Sequence, residues 1–295
     1  MTTSTPTAPL GGPAPATAES GSAREVLVGV DGSDIGLGAV RWAAQEAVRR
    51  DAPLRLLHAA PYLGSGRRGG SPPPELPRAR RITAQAYTVA KHTEPRIRAS
   101  TEVVPGDPTD ALLRAAAGGQ LVVLGTATTG APDELVLASV AVRVAARSPQ
   151  PVVVVPRGRP ADPGDRPTVA VLGVGDRDDD EAVAGFAAAA AERSGGALTV
   201  VQTRSTRRAV SDSWVDDRDE WQRRYPDLTV SHEDMPGARA DRLIAATCPA
   251  PLLVISAGAG SLLHRKLDGS HLWLLRHCTS PMALVPRVHG PGAAG

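Results

Sequence analysis

The chain has 295 residues, of which 42% are hydrophobic and 22% charged, and its formal net charge is +2 at pH 7. The length suggests two domains. A net charge close to zero, with no cluster of basic residues, predicts no nucleic-acid partner. We also expect no membrane partner, metal or disulfide framework, because no apolar stretch reaches membrane-spanning length and the two cysteines, Cys248 and Cys278, have no metal-binding spacing.

Residues 1–23 consist mainly of Thr, Pro, Ala, Gly and Ser. They have neither the basic start nor the apolar middle of a signal peptide. We therefore predict a disordered tail and a cytoplasmic protein.

The first predicted element is a short strand that ends at Asp31. Residues 26–30 read Val-Leu-Val-Gly-Val, and Asp31-Gly32-Ser33 end the run. A continuous apolar run followed by a helix is typical of a strand buried on both faces of a parallel sheet. Ligands of such sheets bind beyond the carboxyl ends of the strands, so Asp31 is the first candidate site residue.

The rest of the first half alternates between helices and strands. Residues 61–77 are rich in Pro, Gly and Arg and predict a loop whose role the sequence leaves open. The predicted elements are helices at 36–50, 78–91, 109–117 and 135–147 and strands at 54–59, 100–104, 121–124 and 151–155. This alternation predicts a doubly wound α/β domain over residues 24–156.

A proline-rich linker at 157–167 precedes a second series of elements. Strands are predicted at 169–174, 198–203, 228–232, 252–255 and 282–285, and helices at 181–194, 239–247 and around 272–277. The second domain is thus predicted at 168–287, followed by a glycine-rich tail at 288–295.

The two series are copies of one domain. Leu54 aligns with Leu198, Pro105-Gly106 with Pro236-Gly237, and Ser139 with Ser270. The same alignment places Val28-Gly29 opposite Leu172-Gly173, and the additional residues of the first copy in the loop at 61–77. A repeat of this length indicates a duplicated domain.

The first copy has the residue types of a nucleotide site at the ends of two strands. In the usual strand order of such units, the loop after the first strand faces the loop after the fourth, which begins at Gly125. A carboxylate such as Asp31 can accept hydrogen bonds from a ribose. A glycine-rich loop leading into a helix can hold phosphates through its backbone N–H groups.

These residues resemble the universal stress protein family. The resemblance lies in Val-Leu-Val-Gly-Val-Asp-Gly-Ser at 26–33, Pro-Gly-Asp-Pro at 105–108, Leu-Val-Val-Leu-Gly at 121–125, Ala-Ser-Val-Ala at 138–141 and Pro-Val-Val-Val-Val at 151–155. It implies two tandem domains, each with a five-stranded parallel sheet in the order 3-2-1-4-5 flanked by helices. It also implies that the two copies pack together like a family dimer, while homodimerisation of the whole chain stays open.

Some members of this family bind ATP through the motif G-x2-G-x9-G-S/T after the fourth strand. The resemblance places Gly125, Thr128, Ala138 and Ser139 at the motif positions, so two of its glycines are replaced. The candidate nucleotide site then comprises Asp31, Gly32, Ser33, Gly125, Thr128, Gly130, Ala138 and Ser139.

The second copy departs further from the motif. It has Ser256, Ala259, Gly269 and Ser270 at the motif positions, and Gly175 at the position of Asp31. In the first copy, residues 126–138 include Asp133 and Glu134 and no cation, which disfavours a triphosphate. We therefore expect ATP binding that is weak in the first domain or lost in both.

Structural roles compete with these functional ones. Asp31 and Ser139 could cap helices, the two cysteines are expected to be buried thiols, and His58 is expected to pack in the core. The spacing of His264, His271 and His277 does not favour zinc. Trp214 and Trp221 predict an amphipathic helix that covers the sheet or a partner.

Two functions follow from the sequence. One is a universal stress protein-like regulatory module of the stress response whose first domain binds adenine nucleotide, ATP, at most weakly. The other is a nucleotide-independent interaction or scaffold protein with both pockets degenerate. No catalytic residue is predicted, because no nucleophile–base pair or Walker-type lysine is recognisable, and slow ATP hydrolysis is a remote third reading.

Overall fold

A computed structural model of the protein describes residues 24–61, 75–126, 139–158, 168–172, 177–202, 218–235, 250–257 and 269–286, with the single residues 242, 247 and 267. The strands are β1 (Val26–Gly29), β2 (Leu54–Ala60), β3 (Ala99–Pro105), β4 (Leu121–Thr126), β5 (Val152–Pro156), β6 (Thr168–Leu172), β7 (Ala197–Gln202), β8 (Thr229–Asp234), β9 (Leu253–Ser256) and β10 (Met282–Val285). The helices among these residues are α1 (Asp34–Arg49), α2 (Leu76–Thr93), α3 (Pro108–Ala116), α4 (Val140–Arg147), α5 (Arg177–Ser194), α6 (Arg218–Arg224) and α7 (Gly269–His277).

The ten strands form one sheet with the order β3-β2-β1-β4-β5-β10-β9-β6-β7-β8. Within each half all neighbouring strands are parallel, and each half has the order 3-2-1-4-5. The predicted fold class, two tandem doubly wound α/β units, is therefore confirmed. The tails at 1–23 and 288–295 and most of the linker at 157–167 lie outside the described residues.

Most predicted elements are present, with ends that differ by a few residues. The first helix begins at Asp34 and not at Gly36, because the Ser33 hydroxyl accepts a hydrogen bond from the Gly36 N–H and caps the helix two residues earlier. The helix predicted at 181–194 begins earlier, at Arg177. Of the helix predicted at 135–147, residues 140–147 are helical and 135–138 lie outside the described residues, as do most of the residues of the helix predicted at 239–247.

The predicted alignment of the two copies is wrong by two residues at β6. Val28 pairs with Leu56 in β1–β2 and with Val123 in β1–β4. In the second half it is Ala170, and not Leu172, that pairs with the corresponding residues of β7 and β9. A shift of two residues leaves the same side chains on the same face of a strand, so the apolar pattern alone could not detect it. Gly175, predicted to take the position of Asp31 in the second copy, lies outside the described residues.

The core is built from small aliphatic residues on both faces of the sheet. The inner face of α1 is mostly alanine, with Ala39, Ala43, Ala44 and Ala47 fully buried, so this helix packs closely on the valines of the sheet. Trp221 of α6 is also fully buried and meets the His232 ring of β8 edge-on, so this helix covers the sheet as predicted. Trp214 lies outside the described residues.

Strands β5 and β10 join the two halves. They are antiparallel, with Met282 opposite Val154 and Leu284 opposite Val152. All strands of the first half therefore point one way across the sheet and those of the second half the other way. The carboxyl ends of β1 and β6, where each half would bind a ligand, lie at opposite edges of the sheet.

A buried carboxylate links the two halves beside this junction. Glu46 of α1 accepts a hydrogen bond from Arg50 Nε at 2.6 Å, and Arg193 Nη2 of α5 lies 3.6 Å from the same oxygen. The Arg50 guanidinium also lies 5.3 Å from the centre of the Phe186 ring. Burial lowers the pKa of Arg193, and the positive charge of Arg50 adds to this effect. The Glu46 carboxylate therefore pairs with arginines of both halves, Arg50 and the neighbouring Arg49 from the first and Arg193 from the second.

Candidate functional site

Asp31 lies just beyond β1, at the start of α1. Its Oδ1 accepts hydrogen bonds from the Ser33 backbone N–H at 2.9 Å and from the Ser33 hydroxyl at 2.7 Å. The Ser33 oxygen in turn accepts a bond from the Gly36 N–H at 3.0 Å. The carboxylate is exposed and fixed at the N-terminus of a helix, where a negative charge is favourable.

Two of the predicted glycines are required by the backbone around Asp31. Gly32 has a φ of +84°, and a Cβ added there would lie 2.9 Å from Ile82 Cγ1 of α2. A Cβ at Gly125 would lie 2.8 Å from the Ile35 carbonyl oxygen in the first turn of α1. Gly125 thus allows β4 and the start of α1 to approach closely, whatever contact it makes with a ligand.

A cavity of about 160 Å³ opens between the ends of these strands and helices. Its lining brings together the predicted residues Asp31 and Gly125. Gly32, Ser33 and Ser139 flank this lining, and Thr128, Gly130 and Ala138 lie outside the described residues. The lining is mostly apolar and comprises Gly29, Val30, Asp31, Gly36, Leu57, His58, Ala59, Pro108, Leu112, Leu124, Gly125, Val140 and Ala141.

His58 is both a core residue, as predicted, and part of the cavity wall. It is 7% exposed, and its Nδ1 donates a hydrogen bond to the Val30 carbonyl at 2.7 Å. Donation from Nδ1 makes Nε2 the acceptor nitrogen of the neutral ring. The position of His58 near the end of the second strand was the signal in the sequence, since loops and strand ends at this edge form the site.

Helix α3 contributes Pro108 and Leu112 to the wall, and its position is fixed by Asp107. Asp107 Oδ1 accepts hydrogen bonds from the N–H groups of Thr109 at 2.8 Å and Asp110 at 3.2 Å. The bond from Asp110, more than the bond from Thr109, lowers the pKa of the Asp107 carboxyl. The turn at 105–108 and the helix after it were predicted from the sequence, but not as part of the site.

Helix α4 begins beside the cavity. Ser139 is its N-cap residue by backbone conformation, yet its side chain makes no capping hydrogen bond. Val140 and Ala141, the first two residues of the helix, line the cavity. The N–H groups of this first turn, which the Ser139 side chain does not cap, therefore lie at the cavity wall, where a helix attracts anions.

The second half has different residues at the corresponding positions. Gly125 of β4 pairs with Val155 of β5, and Ser256 of β9 pairs with Val285 of β10. Because β5 and β10 are the two strands of the junction, Ser256 corresponds to Gly125, as predicted. The predicted equivalence of Ser139 and Ser270 is wrong by one residue. Ser148 and Cys278 each end their helix, because each donates its backbone N–H to the carbonyl four residues earlier. The side chain of each then donates to the backbone carbonyl two residues further on. Counting back from these ends, Gly269 corresponds to Ser139.

The sequence predicts neither a metal site nor a membrane-spanning helix. The described residues include no group of three or more His, Cys, Asp or Glu side chains that could hold a metal ion. His277 bonds the Trp273 carbonyl, Cys278 is buried, and His264 and Cys248 lie outside the described residues. Among the described helices, none combines the length and the apolarity that crossing a bilayer requires.

The half of the chain that contains the cavity is similar to a known protein family. The model of the universal stress protein family matches residues 23–156, which contain the whole cavity. Residues 23–156 are a universal stress protein domain, and universal stress proteins align with most of the chain. A universal stress protein of Mycobacterium tuberculosis is 25% identical over 271 residues, covering 90% of this chain and 97% of that protein. Another from the same species is 28% identical over 246 residues, covering 79% and 85%.

Solved structures of the family have the same fold. A universal stress protein from Archaeoglobus fulgidus matches with a TM-score of 0.67 at 18% identity, covering 90% of this chain and 97% of its own. A universal stress protein crystallised in complex with cAMP is 29% identical, covers 47% of this chain and 100% of its own, and has a TM-score of 0.39. The first of these structures spans both halves, so the tandem arrangement of the sheet is also found in the family.

Proposed function

We propose that the chain is a non-catalytic regulatory module of the stress response whose first domain binds an adenine nucleotide. The observation that carries this proposal is the position of Asp31, a carboxylate fixed by Ser33 at the rim of an apolar cavity. An apolar cavity with one oriented polar group is the common form of a small-molecule site. The aliphatic wall suits a purine base, and Asp31 can accept hydrogen bonds from ribose hydroxyls.

Phosphate groups would lie at the start of α4, where Ser139 leaves the helix N–H groups uncapped. The surroundings limit how many charges can be held there. Asp34 and Asp107 add negative charge on α1 and at the start of α3, and the positive charge of Arg143 acts on Asp107. We therefore propose that the first domain binds ATP with an affinity weaker than micromolar.

The competing proposal is a scaffold that needs no nucleotide. It is favoured by the fact that Asp31 and Gly125 each have a structural role, in the start of α1 and in its approach to β4. A stress-response role and a cytoplasmic location are part of both proposals and stay predictions from the sequence.

Calorimetric titration with ATP, AMP and adenosine tests the choice. Weak binding in the parent that is lost in Asp31→Ala and retained in the neighbouring Asp34→Asn supports the nucleotide site. Asp31→Asn distinguishes charge from capping, because asparagine can still accept the bonds from Ser33. Micromolar or tighter affinity contradicts weak binding, and no heat in a folded parent favours the scaffold. Release of ADP during the titration would indicate hydrolysis and contradict a non-catalytic module.

A further inference from the structure

His271 stands in the second half where the first half has a cavity-lining alanine. Cys278 corresponds to Ser148 at the end of the last helix of each half, and counting back places His271 opposite Ala141. The burial of the two helices agrees with this register, since Val144 and Leu274 are both buried and Arg147 and His277 are both exposed. A methyl group in one domain is therefore replaced by an imidazole in the other.

The imidazole points at the other wall of the site. His271 has 0% of its surface exposed, and its Nε2 donates a hydrogen bond to the Ser256 carbonyl at 2.9 Å. Ser256, itself 3% exposed, corresponds to Gly125. In the first half both Ala141 and Gly125 face the cavity. The His271 ring therefore bridges the two walls that the cavity separates in the first half.

We infer that His271 is the residue that closes the second site and limits the chain to one ligand per molecule. A buried ring whose N–H is bonded to a backbone carbonyl is expensive to displace, because a ligand would have to replace that bond. The closure of the second site is read from geometry, and its consequence for stoichiometry rests on nucleotide binding by the first domain.

The closure can be tested without any nucleotide. Long-range proton–nitrogen NMR spectra of the full chain report the tautomer and proton exchange of each histidine. We expect a slowly exchanging Nε2–H resonance that is missing in His271→Ala. Rapid exchange with water, or an Nδ1–H tautomer, would overturn the inference, since neither agrees with a buried bond to Ser256.

The same closure can be transplanted into the first domain. Ala141→His places the ring opposite Gly125 and is expected to weaken ATP binding about tenfold or more by filling the cavity. Arg147→His is the matched control, because it places the same ring at an exposed position of the same helix outside the cavity lining, and binding should stay within about twofold of the parent. Unchanged binding in Ala141→His, or two ATP sites in the parent, would contradict the inference.

The two experiments separate this inference from the proposed function. If the parent binds no nucleotide, the proposed function fails, while the NMR measurement still decides whether His271 closes the second site. If the parent binds ATP at one site and the His271 resonance is protected, both stand.

Discussion

The two halves have the same strand order but differ at the edge of the sheet where ligands bind. In the first half Asp31, Gly125 and Ala141 surround a cavity. In the second half Ser256 and His271 occupy the positions of Gly125 and Ala141 and are bonded to each other. The strands and their order are thus independent of the site, and a few side chains at the ends of strands decide whether a domain can hold a ligand.

What the halves share is a common sheet and a common interior. The side chains of α1 and α5 belong to one continuous apolar cluster on one face of the sheet. We therefore expect the two halves to unfold together although their sites differ. A destabilising substitution in one half should lower the stability of the other. The following variants test this, from the largest expected effect to the smallest.

Val153→Asp should have the largest effect. Val153 is fully buried in β5 and lies opposite Ala283 of β10, so the variant buries an unpaired charge at the junction of the halves. We expect a loss of about 4 kcal/mol or more in the free energy of unfolding, measured by denaturant titration. Val48→Asp is the control, because Val48 is 46% exposed and should cost within about 0.5 kcal/mol. A second half that still unfolds at the parent's midpoint would contradict a common core.

Glu46→Gln should come next. It removes the negative charge shared by Arg50 and Arg193 while keeping the size of the side chain. We expect a loss of about 3 kcal/mol, since the Arg50 side chain, 9% exposed, and the Arg193 side chain, 23% exposed, would lose their shared carboxylate. The measurement is the same denaturant titration, with Glu220→Gln as a control, since Glu220 pairs with Arg223 and Arg224 at the surface. Equal effects of the two variants would show that the link between the halves is no stronger than a surface pair.

Gly125→Ala should have a smaller effect that is specific to the first half. The added Cβ would meet the Ile35 carbonyl, so α1 must shift, at a cost of about 1–3 kcal/mol. The reciprocal change, Ser256→Gly, should cost at most about 1 kcal/mol, since the second half already accommodates a Cβ there. Thermal unfolding of both variants gives the comparison. A neutral Gly125→Ala would mean that the approach of β4 to α1 does not require glycine.

The smallest effect concerns acid stability. The N–H groups of Asp110 and Thr109 lower the pKa of Asp107 in the folded protein, so its stabilising contribution is present above the unfolded pKa of about 3.9 and is lost as the pH falls through the lower folded value. Asp107→Asn keeps a capping oxygen without a titrating group. Its stability, measured by denaturant titration, should therefore fall less steeply than the parent's below about pH 4.

The second half offers the matched control for this effect, because in the sequence Ala238 follows Pro236-Gly237 as Asp107 follows Pro105-Gly106. Ala238→Asn should leave the slope unchanged. An identical acid slope in the parent and Asp107→Asn would contradict the role assigned to this carboxyl.

The sequence predicted those parts of the fold that leave a periodic signal. The valine runs of β1, β4 and β5 and the alanines of α1 determine strands, helices and their order. The alignment of the copies failed at β6, where Ala170 and Leu172 are both apolar and two residues apart, so either register buries the same face. It failed again at Ser139, because Ser270 is a serine at the same spacing from Pro236-Gly237 as Ser139 is from Pro105-Gly106, whereas the helix ends at Ser148 and Cys278 shift the alignment by one residue.

The site was predicted less completely than the fold. Asp31 was predicted from its position at the end of the first strand and Gly125 from the family motif, and both line the cavity. Leu112 and Ala141 were missed because nothing distinguishes an apolar cavity wall from an apolar core before the helices are placed. The same reason hid His271, whose partner is a backbone carbonyl and leaves no trace in the sequence.

The antiparallel junction also has a consequence for synthesis on the ribosome. Strand β5 is made with the first half, but its neighbour β10 is the final strand of the second half. Until Met282–Val285 leaves the exit tunnel, the Val152–Pro156 edge offers unpaired backbone groups to any other nascent chain. The time between the synthesis of β5 and that of β10 is therefore when this protein is most prone to aggregate and most needs a chaperone.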